Sequence, residues 1–469
     1  MDLFDLQFRR KFSMSMYKNL RLKLAEMSFA KDFVNDSRGD LYPMLRKEDT
    51  AFESVDSDTY TVDGGVKRFM CEYFPYATYE ITANADDGKV GFCFAIPDCE
   101  AVISVGEGKL FYRCDTHEES IDLHNNGEFT MCISCRPGAF DVYFKNNYKA
   151  QYFCTFKETA FNDADLYEVF TNGYAALYAD GKVAVKEVLS YIDNGISIAD
   201  MRTIRYENGE VMVDGGKVYF TASIRLQEQC FQGVFAWVPS TAEIELTGAV
   251  FYDSGDGRWC GDVAASVLYH RAENKWYLWV CSFAHDHILG HSIFEGDPRF
   301  GVNVIDIELM GKSDKGDNSA FKGIEGDEDP DFFYDEEKNK WFMAICRLDP
   351  EINQYRYVFF ESDKPFSGYK YLGKGTGDAE TGGSFIKING EQYFICGNSF
   401  EKTSDYRVYS KDGVRNAKFN YPDGGFRGWG TVVPVKMGSR IRYFWLTFDR
   451  HNGSSYNWSY GNFYCFEAK

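Results

Sequence analysis

The stretch EDPDFFYDEEKNKWFMAIC, residues 328–346, decides the fold class. It opens on acids, runs into an apolar strand, turns through charged residues and returns as an aromatic strand. Four other segments share this form. They are ADMRTIRYENGEVMVDGGKVYFTAS (199–223), WCGDVAASVLYHRAENKWYLWVCS (259–282), AETGGSFIKINGEQYFICGN (379–398) and GWGTVVPVKMGSRIRYFWLTF (428–448). Tyr219, Trp276, Trp341, Tyr393 and Tyr443 anchor the returning strands, at intervals of 57, 65, 52 and 50 residues. A repeat of that length suits a four-stranded propeller blade. Five copies predict a five-bladed β-propeller. In each blade the start of the first strand and the end of the second lie on one face, so residues there converge on a central pocket.

Upstream, from about Tyr60, short apolar or alternating runs are separated by Gly, Asp and Asn turns: YATYEITAN, KVGFCFAIP, AVISVGEG, KLFYRC, FTMCISCRP, AFDVYFKN and YKAQYFCTF. Turn signals every 8–12 residues over such a stretch predict an antiparallel β-sandwich. The expected class is therefore all-β: an N-terminal helix and extended segment (1–49), a lectin-like β-sandwich (50–157), and a propeller with its linker and closing strand (158–469). Met16 to Phe33 has apolar residues at helical spacing and is expected to be a helix. Tyr174 to Tyr191 is expected to be a hairpin around Asp180-Gly181. Cys132 and Cys135 have zinc-ligand spacing, but no second pair accompanies them, and they read as core.

The chain has 469 residues, with 51 Lys+Arg against 71 Asp+Glu, a net charge of −20. That charge repels a phosphate backbone, so nucleic acid is not an expected partner. No run approaches the ~18 apolar residues of a membrane-spanning helix, so no membrane partner is expected. No signal peptide is visible at the N-terminus. Most of the 13 Cys sit in apolar runs and read as buried thiols, which predicts a cytoplasmic setting. Removal of a signal peptide would leave the same N-terminus in a secreted protein. Oligomeric state is not set by the sequence.

The repeats begin on Asp200, Asp262, Asp329 and Glu380. Acids that open an inner strand are costly to bury unless paired or functional. The five segments, in order, resemble the five-bladed propeller glycosidases of glycoside hydrolase family 43 (clan F). Asp200 matches the Asp that opens blade one, and Trp259 with Asp262 and Val263 resembles the blade-two run. Asp329-Pro330-Asp331-Phe332-Phe333 matches blade three. Glu380, with the later Asn389-Gly390 turn, matches blade four. Gly428-Trp429-Gly430 resembles the Gly-His-Gly-like run of blade five.

The resemblance implies Asp200 as general base, Asp329 as pKa modulator and Glu380 as general acid. Such a trio suits inversion: one carboxylate activates water, one carboxylic acid protonates the leaving oxygen, and they stand about 6.5–9.5 Å apart. A third carboxylate near the acid raises its pKa. The implied reaction is hydrolysis of a terminal or short-chain glycosidic bond, of a pentofuranosyl or related unit, with an oligosaccharide or small glycoside as the substrate partner. Trp429 stands where the family often has a His that helps hold a central metal ion, so no cofactor is expected there.

Further substrate contacts are expected from Asp262, from Trp259 and Trp429 stacking on a sugar ring, and from the ends of the second strands: Arg225, His285, His287, Arg347, Arg450 and His451. A divalent metal near His285 and His287 is one reading, since His-x-His on a strand puts both rings on one face. Solvated histidines or hydrogen bonds to sugar hydroxyls are the others. Two alternative functions stay open. One is a glycoside phosphorylase using Arg225, Arg347, Arg450 and His451 for phosphate. The other is a carbohydrate-binding propeller without turnover.

Overall fold

The structure is a computed structural model, and it describes residues 8–14, 21–23, 53–54, 59–115, 117–123, 127–146, 149–162, 173–193, 195, 197–310, 326–377, 379–398, 405–418, 429–448 and 463–468. These residues are almost all strand. The chain divides into two units, one of residues 21–193 and one of residues 1–20 with 194–469.

The second unit is the five-bladed propeller. Blade one is built on Ser197–Thr203, Lys217–Arg225, Cys230–Trp237 and Ile244–Asp253, with Gly301–Asp306 added parallel to the last. Blade two is built on Val263–His270, Lys275–Ser282 and Ile288–Phe294, and Arg205–Tyr206 adds parallel to its inner strand. Blade three comprises Asp327–Asp335, Lys340–Asp349, Gln354–Ser362 and Lys370–Lys374. Blade four comprises Glu380–Ile388, Glu391–Asn398, Asp405–Ser410 and Gly413–Lys418.

Blade five takes Thr431–Met437, Arg440–Phe448 and Phe463–Ala468 from the C-terminal end, and its outermost strand is Phe8–Met14. The N-terminal segment thus completes the last blade. Pairing the two ends of the unit in one sheet leaves no unclosed seam in the ring.

The aromatic excess fills the gaps between blades. Tyr219, Trp276 and Leu278 pack between blades one and two. Tyr277, Trp279, Phe332 and Trp341 pack between two and three. Tyr357, Phe385 and Phe394 pack between three and four, and Tyr406, Trp445 and Ile386 between four and five. Phe220 and Phe235 meet Phe463, and Trp237 meets Phe444, joining five to one. Each blade alone would expose such a face, so burial between neighbours holds the ring together.

The other unit is one curled sheet rather than two separate ones. Its spine is two long strands, Thr78–Ile96 and Tyr174–Asp193, paired antiparallel. The first half of Thr78–Ile96 pairs with Phe129–Arg136, the second half with Cys99–Gly106. Gly88 and Gly181 face each other where the two spine strands pair. A Cβ on Gly88 would lie 2.3 Å from the Asp180 carbonyl oxygen, so only glycine allows the strands to approach there. Inside the curl Phe94 stacks on Phe140 and meets Tyr79 edge-on. Cys132 and Cys135 are buried in its core as expected.

Three expectations are corrected. Arg21–Lys23 is a strand paired with Tyr191–Asp193, not helix; the rest of 16–33 lies outside the described residues. Residues 174–193 form one continuous strand, not a hairpin around Asp180-Gly181. They belong to the curled sheet rather than to the propeller, because the strand pairs along its length with Thr78–Ile96.

Candidate active site

The inner strands of blades one to four share a local irregularity that sets the site. In each, two residues on the inner strand lie opposite one on its partner: between Ala199 and Arg202, Val263 and Ser266, Glu328 and Asp331, and Thr381 and Ser384. Each bulge holds one residue in the left-handed region: Asp200 (φ 57°), Ala264 (φ 58°), Asp329 (φ 50°) and Gly382 (φ 59°). Three of the four are not glycine, a conformation that costs about 1–2 kcal/mol per residue and clusters at functional sites. Asp200 and Asp329 therefore occupy equivalent positions. Asp262 and Glu380 do not: each lies two residues before its bulge, level with Asp327 of blade three.

The bulges bring Asp200 and Asp329 together at the inner end of the ring, each 5% exposed. Asp200 accepts from the Ser223 hydroxyl (2.7 Å), the Arg225 guanidinium (3.3 Å) and the Trp429 indole N–H (2.9 Å). Asp329 accepts from the Thr381 hydroxyl and the Gly382 amide, both at 2.9 Å. Burial, and then the charge of Asp200, push the Asp329 carboxyl up to about 6, against the pull of Arg202. Arg202 Nη2 stands 3.6 Å from Asp329 Oδ1, and the same guanidinium donates to the carbonyls of Ala264 and Gly383.

Two residues along the strand from Asp329, Asp331 forms a second buried pair that joins neighbouring blades. The Arg205 guanidinium meets Asp331 and donates to the Phe385 carbonyl at 2.7 Å, while Ser266 and the Phe385 amide both donate to Asp331 at 2.5 Å. Arg202 and Arg205 were not singled out from the sequence, although two arginines inside the apolar strand ADMRTIRY were the available signal.

Glu380 is directed elsewhere. Its carboxylate accepts from the amides of Tyr357 and Gly377, each at 3.0 Å, and from the Tyr409 hydroxyl. Tyr357 belongs to the third strand of blade three and Tyr409 to the third strand of blade four. Glu380 is 1% exposed and sits between these blades; Thr381 and Gly382 of its own strand donate to the Asp329 carboxylate, and Tyr357, whose amide donates to Glu380, donates its hydroxyl to the Asp329 carbonyl at 3.4 Å. Glu328, next to Asp329, turns outward and accepts from Tyr355 (3.2 Å) and His287 (2.9 Å).

The remaining candidates fall in several places. Trp429 does reach the centre: it caps Asp200, and its ring lies where a Cβ on Gly382 would be, 1.6 Å from Cδ1. Trp259 is not at a pocket mouth; it is 2% exposed and stacked with Phe251. Arg225 pairs with Asp200, whereas Arg347 is held in a two-pronged pair with Asp327 (2.7 and 2.9 Å). His287, protonated more readily because Glu328 faces it, is separate from His285, which lies between the Ser282 and Ser254 hydroxyls. Burial pushes Asp262 up to about 6. Arg450 and His451 lie outside the described residues. A groove of about 670 Å³ between blades three and four is lined by Phe333, Phe342, Phe359, Phe394, Tyr409 and Lys411; Asp200, Asp329 and Glu380 are not among its lining residues.

No protein-family model matches the sequence, and no curated protein matches it. Among solved structures the chain is similar to a thermostable family-43 glycoside hydrolase, at 14% identity over 58% of this chain and 89% of that one, with a TM-score of 0.40. It is similar to an exo-β-1,3-galactanase from Clostridium thermocellum, at 13% identity over 57% and 62%, TM-score 0.40. It is similar also to an α-L-arabinofuranosidase from Podospora anserina, at 11% identity over 59% and 92%, TM-score 0.38. The five-bladed fold stands on the strand pairing and does not depend on these likenesses.

Proposed function

We propose that the protein is a glycoside hydrolase that cleaves a terminal or short-chain glycosidic bond, of a pentofuranosyl or related sugar, with inversion. The observation that carries this reading is the pairing of Asp200 and Asp329 at equivalent bulges of blades one and three. Asp200 is the base: its carboxylate is oriented by three donors at the inner end of the ring, where it would activate water. Asp329 is the modulator, its carboxyl pushed up to about 6 by burial and by the charge of Asp200. Glu380 is the acid, which requires its carboxyl to leave Tyr409 and turn toward the side on which Asp329 lies. Trp429 shifts from Asp200 to admit the sugar ring. The setting is cytoplasmic, and the substrate is an imported short oligosaccharide.

A carbohydrate-binding propeller without turnover is the second reading. It is favoured by the three donors that hold Glu380 between blades and by the indole covering Asp200. The phosphorylase reading loses support because Arg225 and Arg347 are already paired with carboxylates. A screen of aryl glycosides and plant oligosaccharides, with and without phosphate, separates the three. Hydrolysis independent of phosphate and lost in Asp200→Asn supports the first. Phosphate-dependent product supports the phosphorylase, and saturable sugar binding with no product supports the second reading.

A further inference from the structure

We propose that Cys260, Asp262 and His285 form a binding site for a transition-metal cation of the zinc class, on blade two and apart from the Asp200–Asp329 pair. The three side chains offer a thiol, a carboxylate and an imidazole whose ligand atoms lie within 4.8 Å of one another. Bonds of 2.0–2.3 Å in a tetrahedral arrangement place ligand atoms about 3.3–3.8 Å apart, so a small inward rotation closes the site. Cys260 is half-buried and His285 partly exposed, which leaves both side chains room for that rotation.

The second observation concerns Asp262. It is 1% exposed, and its Oδ2 has no hydrogen-bond partner; Oδ1 accepts from the Ala284 amide at 3.3 Å, and the Ser282 hydroxyl and Phe283 amide also face the carboxylate. A carboxylate oxygen left unpaired in the interior is costly, and a cation is the partner that removes the cost. A thiolate and a carboxylate together neutralise a divalent ion, so the loaded site carries no net charge.

The frame around the three residues is fixed. Cys260 is locked by two backbone hydrogen bonds with Tyr252, at 2.7 and 3.0 Å. His285 ends the short turn Phe283–His285, and Asp286 follows in the left-handed region. Its Nδ1 meets the Ser282 hydroxyl at 2.7 Å and its Nε2 the Ser254 hydroxyl at 3.1 Å. One ring nitrogen gives up its serine to the metal while the other keeps its own, and the retained hydroxyl orients the ring as outer partners of metal-bound histidines do.

The donor set decides the ion. Sulfur with imidazole selects zinc, cobalt or copper over calcium or magnesium, which prefer oxygen alone. Binding displaces the thiol proton to solvent. Three protein ligands leave a fourth position for water. His287 is not part of the set: the ligand atoms that lie within 4.8 Å of one another are those of Cys260, Asp262 and His285.

The test uses the full-length protein, stripped with a chelator and titrated with Zn²⁺ against a chromophoric competitor and, separately, with Co²⁺. We expect one saturable equivalent, a rise in the thermal midpoint with Zn²⁺, and a thiolate-to-cobalt charge-transfer band. Cys260→Ser removes that band. Asp262→Asn and His285→Ala each weaken binding by at least about 100-fold, since even outer-shell losses cost 10–100-fold; His287→Ala leaves the affinity unchanged. The proposal is overturned if the wild-type protein takes up no saturable equivalent. It is overturned equally if binding persists in the Cys260→Ser/His285→Ala double variant.

Discussion

Blades three and four start from almost the same inner strand and end with opposite uses of their acids. Blade three places Asp329 at the bulge and Asp327 two residues before it; blade four places Gly382 at the bulge and Glu380 two residues before it. The bulge position turns its side chain to the centre of the ring, where Asp329 meets Asp200 and Arg202. The earlier position turns it back between strands, where Asp327 pairs with Arg347 and Glu380 with Tyr409 and two amides. A displacement of two residues along one strand thus separates a carboxylate poised beside another charge from one held in place. The residues after the bulge differ as well: Asp331 binds Arg205, while blade four has Ser384 at that point.

The largest effect comes from breaking the deeper pair. Arg205→Met leaves Asp331, 0% exposed, without its cation. We expect a loss of about 3–5 kcal/mol in denaturant unfolding, as for other buried pairs stripped of one partner. If stability changes by less than 1 kcal/mol, blade three does not depend on that pair.

Gly382→Ala sharpens the contrast at the bulge itself. Its φ of 59° disfavours alanine, and the new Cβ meets the Trp429 ring. A loss of about 2–4 kcal/mol is expected from strain and overpacking together. Trp429 fluorescence should shift as the indole leaves Asp200. An unshifted spectrum with native stability would mean the ring is not seated there.

Tyr409→Phe removes one donor from Glu380. Loss of this buried hydrogen bond is expected to cost about 1–3 kcal/mol in denaturant unfolding, and an unchanged stability would mean that Tyr409 does not hold Glu380. If the same substitution also raises kcat, release of Glu380 from Tyr409 limits its use as an acid.

A further effect is in the pH dependence. Asp329 has a folded pKa of about 6, raised from 3.8. The folded state therefore binds this proton more tightly than the unfolded chain. Its contribution to stability is present below about pH 4 and is lost as pH rises through about 6. Asp329→Asn should flatten that part of the stability–pH curve, whereas Glu380→Gln should leave it in place. An unchanged curve in Asp329→Asn would assign the slope elsewhere.

Much of the fold could be read from the sequence because each blade writes its own signature. Trp276, Trp341 and Tyr443 recur at the blade period, and the strands they anchor meet neighbouring blades. What could not be read depends on contacts distant in sequence. Residues 8–14 complete blade five by pairing with 463–468, and no local pattern announces a partner that far along the chain. The long strand Tyr174–Asp193 reads as a hairpin because Asp180-Gly181 is a turn signal; here the glycine serves a close approach of strands instead.

Of the candidate site, the residue types could be read from the sequence and the register could not. Asp200 and Asp329 were visible as acids opening strands. That Glu380 stands two residues out of step with them is set by where each bulge falls, and AETGGSF gives no sign of it until its pairing with Gly397 and Ile395 is seen. Arg202 and Arg205 were charges in an apolar strand, a pattern that marks a buried pair once its partners are known.

The central claim is that Asp200 is the base of an inverting glycosidase. The most direct measurement follows the anomeric proton of the first-formed product by NMR, for the wild type and for Asp200→Asn, on the best substrate of the screen. We predict that the wild-type product appears with inverted configuration and that Asp200→Asn slows its formation by about 10²–10⁴-fold with little change in stability. Retained configuration, or an Asp200→Asn variant as fast as the wild type, would contradict the account.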